Sequence, residues 1–360
     1  MTHQHHQTLE HLLAGHDLDE DQAADLLVVL TDTNLAPAMA GALLAALRAK
    51  GETPAEIRGF ARAMRKLAQR PDIRADLACV DIVGTGGDGS GSLNLSTGSA
   101  LLAAACGAPV AKHGNRSISS RSGSADVLEA LGCELPRNGD SCVACLRECG
   151  FTFMFAPHFH PAMKALAAVR STLGVRTVFN LLGPLTNPAA PPYQVIGAYS
   201  PEAAQLMAEA IAGLTIQRAF VVHGEPGWDE ATPVGPFLLF DVRPGSVQLE
   251  QRDPASYGLA RCAPGALAGG ASEHNAARLA AVLESDDHGP HRDALLLGAA
   301  LALEVSGRAR TMAEGLAMAA AAIDDGRAHA LIRKLRSFSA RQRREERDRP
   351  RPVIKTEIRL

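Results

Sequence analysis

Apolar positions in the first seventy residues recur at helical spacing. Ala23, Leu26, Leu27 and Leu30 share one face, and Asp19 with Gln22 forms a capping box at its start. Pro37 opens a second helix, with Leu43, Leu44 and Leu47 inward and Gly51 as its stop. Thr53-Pro54-Ala55-Glu56 opens a third, with a capping Thr, Pro at the first helical position and Glu reaching back. No strand pattern interrupts this part.

At Cys79 the pattern changes. Val80-Asp81-Ile82-Val83 reads as a short buried strand entering a glycine-rich loop. Further strands are predicted near Pro109–Lys112, Phe151–Phe155, Tyr193–Tyr199 and Arg218–Val222. Helices are predicted between them, over Ala125–Leu131, Cys142–Cys149, Pro161–Leu173 and Pro201–Leu214. Two extended runs around Arg243-Pro244-Gly245-Ser246 predict a hairpin, followed by helices over His291–Val305 and Met312–Ile323.

This order predicts an α/β protein: a small all-helical N-terminal domain plus a larger domain with a mostly parallel central sheet flanked by helices. The helical domain is expected over 1–75, with a returning segment at about 165–188, and the α/β domain over 76–340. Residues 341–360 hold eight Lys or Arg against four Asp or Glu, without apolar periodicity. With Pro350 and Pro352 they read as a disordered basic tail, and the His-rich start (His3, His5, His6) likewise reads as disordered.

Composition removes several classes of function. The formal net charge is −3 and aromatic residues make up 4%, which gives neither a global basic field nor stacking platforms for nucleic acid. No apolar run reaches the roughly 18 residues of a membrane span. Seven cysteines, an odd number in a long chain, argue against a disulfide framework. The expectation is a cytoplasmic protein with no membrane and no nucleic-acid partner. Cys142, Cys145 and Cys149 fall on one helix and read as a buried face; His158 and His160 read as structural residues of an extended loop.

Three stretches carry chemistry. In Asp81-Ile82-Val83-Gly84-Thr85-Gly86-Gly87-Asp88-Gly89 a strand runs into glycines that let backbone amides approach a phosphate closely. The spacing is neither a Walker A motif nor the dinucleotide fingerprint. Asn94-Leu95-Ser96-Thr97 then opens an apolar helix whose first amides and positive dipole end invite an anion. The second stretch, Lys112 to Asp126, leaves a strand with three cations, five serines and one Asn, and ends at a Ser-capped helix. The third is Asp229-Glu230, adjacent carboxylates in a loop, which suit Mg²⁺ beside a polyphosphate.

Gly84-Thr85-Gly86-Gly87-Asp88, Asn94 to Thr97, Lys112-His113-Gly114-Asn115-Arg116, Ser122 to Asp126, Phe179 to Pro188 and His223-Gly224 with Asp229-Glu230 together resemble anthranilate phosphoribosyltransferase. The resemblance runs from about Leu9 to Phe338, in matching order and spacing. It implies Mg²⁺-dependent transfer of the phosphoribosyl group from phosphoribosyl pyrophosphate (PRPP) to anthranilate, in tryptophan biosynthesis, by a homodimer joined through the helical domain. It places Gly84, Gly87, Asp88, Ser92, Asn94, Leu95, Ser96 and Thr97 on the pyrophosphate. Lys112, His113, Gly114, Asn115, Arg116, Ser117, Ile118, Ser119 and Ser120 would wrap PRPP, with Ser124 adding a contact. Gly84, His113, Asn115 and Arg170 would meet anthranilate. Ser96, Asp229 and Glu230 would hold Mg²⁺.

The chain departs from the family pattern at Gly98, at Gly298 and at Ala231-Thr232-Pro233. No covalent nucleophile stands out, so catalysis is expected to be electrostatic and positional. A pyrimidine nucleoside phosphorylase-like enzyme and a non-catalytic nucleic-acid-binding relative are the alternatives. The intact Lys112–Arg116 stretch and the acidic pair count against the first, and the net charge counts against the second.

Overall fold

The computed structural model describes residues 2–74, 76–117 and 121–348. Four helices come first: α1 (Thr2–Leu13), α2 (Glu20–Leu30), α3 (Pro37–Lys50) and α4 (Pro54–Leu67). Asp19 and Thr53 make the predicted capping boxes with Gln22 and Glu56. The helix α1 includes His5 and His6 and corrects the expectation of a disordered start. Its Leu12 is buried and Leu9 packs beside it, so apolar contact holds a turn that its histidines do not recommend.

The chain then runs β1 (Val80–Gly84), α5 (Leu95–Ala105), β2 (Val110–Gly114), α6 (Ser124–Ala130), α7 (Gly139–Cys149), β3 (Phe151–Phe155) and α8 (Ala156–Phe159). After a 3-10 turn (Pro161–Leu166) come α9 (Ala167–Leu173), α10 (Phe179–Leu182), β4 (Tyr193–Gly197), α11 (Pro201–Ala212) and β5 (Arg218–Gly224). The hairpin β6 (Phe237–Arg243) and β7 (Ser246–Arg252) follows, then α12 (Ser272–Leu283), α13 (Pro290–Val305), α14 (Met312–Asp324) and α15 (Arg327–Asp348).

The seven strands form one sheet in the order β3-β2-β1-β4-β5-β6-β7. β1 to β5 are parallel, and the hairpin joins antiparallel at the edge. Strand alternation sorts side chains to two faces. Val80, Ile82, Phe220 and Val222 pack with α5 and the C-terminal helices. Ile196, Ala219 and Val221 pack with the N-terminal helices, α11 and the residues Leu166, Val178, Phe179, Leu182 and Leu185. The small helical domain thus shares its core with one face of the sheet.

Three sequence expectations change and one helix is added. The single helix expected over Pro161–Leu173 divides into the 3-10 turn Pro161–Leu166 and α9. His158 lies on the short helix α8, not in an extended loop, since Ala156-Pro157 starts a helical turn after β3. α12 carried no expectation; its apolar residues Ala276, Leu279, Val282 and Leu283 are spaced for a helix and buried. The basic tail is helical as far as Asp348. Leu331, Ile332, Leu335 and Phe338 anchor α15 in the core, and Arg341 and Arg343 pair with Glu148 and Glu134. Arg and Glu are good helix formers, and the two prolines lie past the described helix. Residues 349–360, the rest of the expected tail, lie outside the described residues.

The two glycine departures both lie where α5 packs on its neighbouring helices. A Cβ at Gly98 would lie 2.7 Å from side-chain atoms of Leu279 and Leu295, and one at Gly298 would lie 2.2 Å from Ser99 Oγ. Missing side chains on each helix make room for side chains on the facing ones. Thr232 is buried, and its hydroxyl accepts from Val234 N at 3.4 Å. The cysteines are free, with Cys142, Cys145 and Cys149 buried along α7.

Removing residues 341–360 deletes the two exposed ion pairs on Glu148 and Glu134. Such pairs contribute about 1 kcal/mol at most. The melting temperature should fall by no more than about 2–4 °C, checked by a thermal scan of the truncated chain.

Candidate active site

The sheet order reverses at β1: β2 and β3 lie to one side, β4 and β5 to the other. In open α/β sheets the crevice at the carboxyl ends of such strands receives ligands. Here β1, β2, β4 and β5 each end in glycine, at Gly84, Gly114, Gly197 and Gly224. Three of these glycines admit the loop that carries the acidic pair. A Cβ at Gly84 would lie 2.4 Å from Asp229 Oδ2, one at Gly197 1.5 Å from the Asp229 carbonyl oxygen, and one at Gly224 2.1 Å from the Glu230 carbonyl oxygen.

Asp229 and Glu230 hold the glycine loop and α5 from that position. Asp229 Oδ2 accepts from Gly86 N at 2.6 Å and from Thr85 Oγ1 at 3.4 Å. Gly86, Gly87, Gly89 and Gly91 all have positive φ, the region that glycine enters without strain. Asp88 closes the loop on itself, with Oδ1 accepting from Ser90 N and Oδ2 from Asp229 N at 3.3 Å. Glu230 Oε1 accepts from Ser96 N at 3.0 Å, and Oε2 from Ser92 Oγ at 3.3 Å. The expectation of free amides at the start of α5 is therefore corrected in part, because Glu230 occupies the Ser96 amide. Leu95 is buried in the core, and the Thr97 and Gly98 amides turn back to Asn94 O. Asn94 links three segments: Nδ2 donates to Ser122 O at 3.0 Å, and Oδ1 accepts from Asn275 Nδ2 of α12 at 2.8 Å.

The electrostatics of this centre are costly. Burial, together with repulsion from Asp88, raises the Asp229 carboxyl, and burial with repulsion from Asp229 raises Glu230. Lys112 is fully buried and is lowered to about 8 by desolvation, against the pull of Asp81, Glu230 and Asp229. Its Nζ donates to Ile82 O and lies 3.4 Å from Ser96 Oγ. Asp81 in turn is raised to about 6 by burial. It accepts from Asn187 Nδ2 at 2.7 Å and from His113 N at 3.2 Å, which ties the Phe179–Pro188 motif to β1 and β2.

Other expected site residues fall differently. The His113 ring is buried 5.2 Å from that of His160, and burial lowers it to about 3. It is neutral, so it brings no charge to a phosphate; its backbone follows Lys112 to the sheet edge. Ser124 is the first residue of α6, where Gly123 and not a serine is the cap, and Asp126 accepts from Gly123 N at 3.0 Å. Asn115 is exposed, and its Oδ1 accepts from Arg116 N. Ser117 N donates to Asp126. Ile118, Ser119 and Ser120 lie outside the described residues. Arg170, on α9, is half-buried with its guanidinium 5.1 Å from the Phe179 ring. Burial lowers it, and among the described residues no carboxylate pairs with it.

The donor set fits Mg²⁺. Two raised carboxylates flanked by Ser92 and Ser96 would be relieved by a cation. Among the described residues no three His, Cys, Asp or Glu side chains converge as a complete metal cage. Mg²⁺ does not require one, since it binds a few carboxylates together with water and phosphate oxygens.

Comparison with known proteins agrees with this geometry. Residues 76–329 match the glycosyl transferase family a/b domain, and residues 6–68 match the helical bundle domain of that family. The anthranilate phosphoribosyltransferase of Desulforudis audaxviator is 45% identical over 342 residues, covering 95% of this chain and 98% of that protein. The chain belongs to the anthranilate phosphoribosyltransferase family. The Thermus thermophilus structure of this family superposes with a TM-score of 0.86 at 43% identity, over 92% of this chain and 99% of that one. The Saccharomyces cerevisiae enzyme in complex with PRPP and Mg gives 0.86 at 28% identity, over 95% and 99%. Family membership sets aside the nucleoside phosphorylase-like alternative. No described helix is long and apolar enough to cross a membrane.

Of the glycines that admit the acidic loop, Gly197 has no place in the sequence motifs, although strands ending in glycine at one sheet edge are a legible signal. Gly197→Ala should push the Asp229 backbone off the sheet edge. Overpacking of this kind costs about 1–3 kcal/mol. Turnover should fall at least about tenfold, with a smaller loss in melting temperature; paired kinetics and thermal scans check both.

Proposed function

We propose that this chain transfers the phosphoribosyl group of PRPP to the amine of anthranilate, releasing pyrophosphate, in tryptophan biosynthesis. The observation that carries the reading is the lock between the glycine loop and the acidic loop at the sheet's switch point, where Asp229 bonds Gly86 N and Glu230 bonds Ser96 N. In the reaction the bond from ribose C1 to pyrophosphate breaks, a C1–N bond forms and the amine gives up a proton. Charge builds on the leaving pyrophosphate and on the ribose ring, so fixed dipoles and cations do the work.

On this reading the segments Gly84 to Asp88, Ser92 and Asn94 to Thr97 line the pyrophosphate site. Lys112 adds a buried cation, which acts more strongly there than at a surface. Asp229, Glu230 and Ser96 would hold Mg²⁺, which would supply neutralising charge for the pyrophosphate. Asn115 and Arg170 orient anthranilate. A half-buried guanidinium with no carboxylate partner among the described residues suits a planar carboxylate, and the Phe179 ring lies beside it. The chain works in the cytoplasm as a homodimer joined through its helical domain.

Asp229→Asn with Glu230→Gln should abolish most activity at low Mg²⁺ and recover part of it as Mg²⁺ rises; an unchanged Mg²⁺ dependence would remove these residues from the metal site. Arg170→Ala should raise the KM for anthranilate roughly tenfold or more, since a hydrogen bond to a charged group contributes about 1.5–3 kcal/mol. The KM for PRPP should hardly move. Kinetics with each substrate varied at saturating levels of the other distinguish acceptor reading from a domain-holding role.

A further inference from the structure

Arg116 stands just after β2, in the stretch expected to wrap PRPP, yet its guanidinium is engaged with α6. Nη1 donates to Asp126 Oδ1 at 2.7 Å and to Glu129 Oε2 at 2.7 Å; Nη2 donates to Glu129 Oε1 at 2.9 Å. Asp126 and Glu129 are three apart on α6 and so face the same way. The ring of Phe155, at the end of β3, lies 5.5 Å from the guanidinium carbon. One side chain therefore spans β3 and two positions of α6.

The backbone around it is drawn together by the same carboxylate. Asp126 Oδ2 accepts from Ser117 N at 3.2 Å and from Gly123 N at 3.0 Å. Asn115 O accepts from Ala125 N at 3.3 Å. The two strands of chain touch closely enough that a Cβ at Gly123 would lie 2.3 Å from Ser117 N and 2.5 Å from Arg116 C. Residues 115–117 and 123–126 form a neck, with Asp126 gripping both sides and Glu129 completing the grip through Arg116.

We propose that Arg116, Asp126 and Glu129 form a clamp that positions Lys112 to Asn115 for PRPP, with Arg116 acting through α6 and not as a phosphate ligand. The clamp rests on the reading of Lys112 to Asn115 as PRPP contacts. Its members are partly exposed, at 47% for Arg116 and 41% for Glu129. Exposed ion pairs add little to stability, so breaking this one acts on the neck's geometry and leaves the fold in place.

The test is a cycle of Arg116→Gln, Glu129→Gln and the double variant in the full chain, with KM for PRPP, kcat and melting temperature measured for each. If the clamp operates, both single variants raise the KM for PRPP by a similar factor, about fivefold, and the double variant is no worse than the poorer single one. The loss is carried by KM more than by kcat, and melting temperatures stay close to that of the parent. Glu129→Asp, which keeps the charge on a shorter arm, recovers part of the loss. If Glu129→Gln leaves or lowers the KM while Arg116→Gln raises it, Arg116 is a direct phosphate ligand and the clamp is wrong. Additive effects, or no effect from either variant, overturn it too. Lys112→Met is the separate control: an unchanged KM for PRPP there would refute the underlying PRPP reading and not the clamp alone.

Discussion

The site depends on one close approach. The Asp229-Glu230 loop lies across the carboxyl ends of β1, β4 and β5 because Gly84, Gly197 and Gly224 have no side chains to hold it away. From that position Asp229 reaches the Gly86 amide and Glu230 the Ser96 amide. The glycine loop, the first turn of α5 and the acidic pair become one unit, assembled at the place where the strand order reverses. The departures from family pattern at Gly98 and Gly298 lie where α5 meets α13, and each makes room for a side chain facing it: Leu279 and Leu295 at Gly98, Ser99 at Gly298.

This arrangement has an electrostatic cost. Carboxylates brought close in a buried site repel each other and lose solvation, and both Asp229 and Glu230 are raised. Lys112 faces the opposite penalty and is lowered to about 8. Neither charge type is fully compensated by its protein neighbours. A ligand that brings its own anionic oxygens together with a divalent cation would compensate both. The same logic applies at Arg170, a half-buried cation held by an aromatic face with no carboxylate among the described residues to match it. Unmet charge is what binding is expected to satisfy.

Much of this was legible in the chain. Capping boxes at Asp19 and Thr53, strands running into glycine and the turn Arg243-Pro244-Gly245-Ser246 carry local physics that tertiary structure does not override. Site motifs were legible because phosphate chemistry requires particular residues in sequence: glycines for close approach, Ser and Asn for donors, adjacent acids for a metal. What escaped was set by distant contacts. The burial of His113 against His160, the capping of Ser96 by Glu230 and the capture of Arg116 by α6 each join residues far apart in the chain or on different elements. α1 and the end of α15 escaped for the related reason that their polar composition conceals the few apolar contacts that anchor them.

The central claim is that the buried acidic pair and the glycine loop form a single site for a metal-bound pyrophosphate. The most direct measurement is calorimetric titration of PRPP at about pH 6.5, with and without Mg²⁺, in two buffers of different ionisation enthalpy. Carboxyls raised in the free protein lose protons when a cation arrives, whereas Lys112, at about 8, is already charged and contributes little. The account predicts Mg²⁺-dependent PRPP binding with net proton release, and a smaller release in the Asp229→Asn, Glu230→Gln variant. Binding of equal strength without Mg²⁺, with the same proton balance in parent and variant, would contradict it.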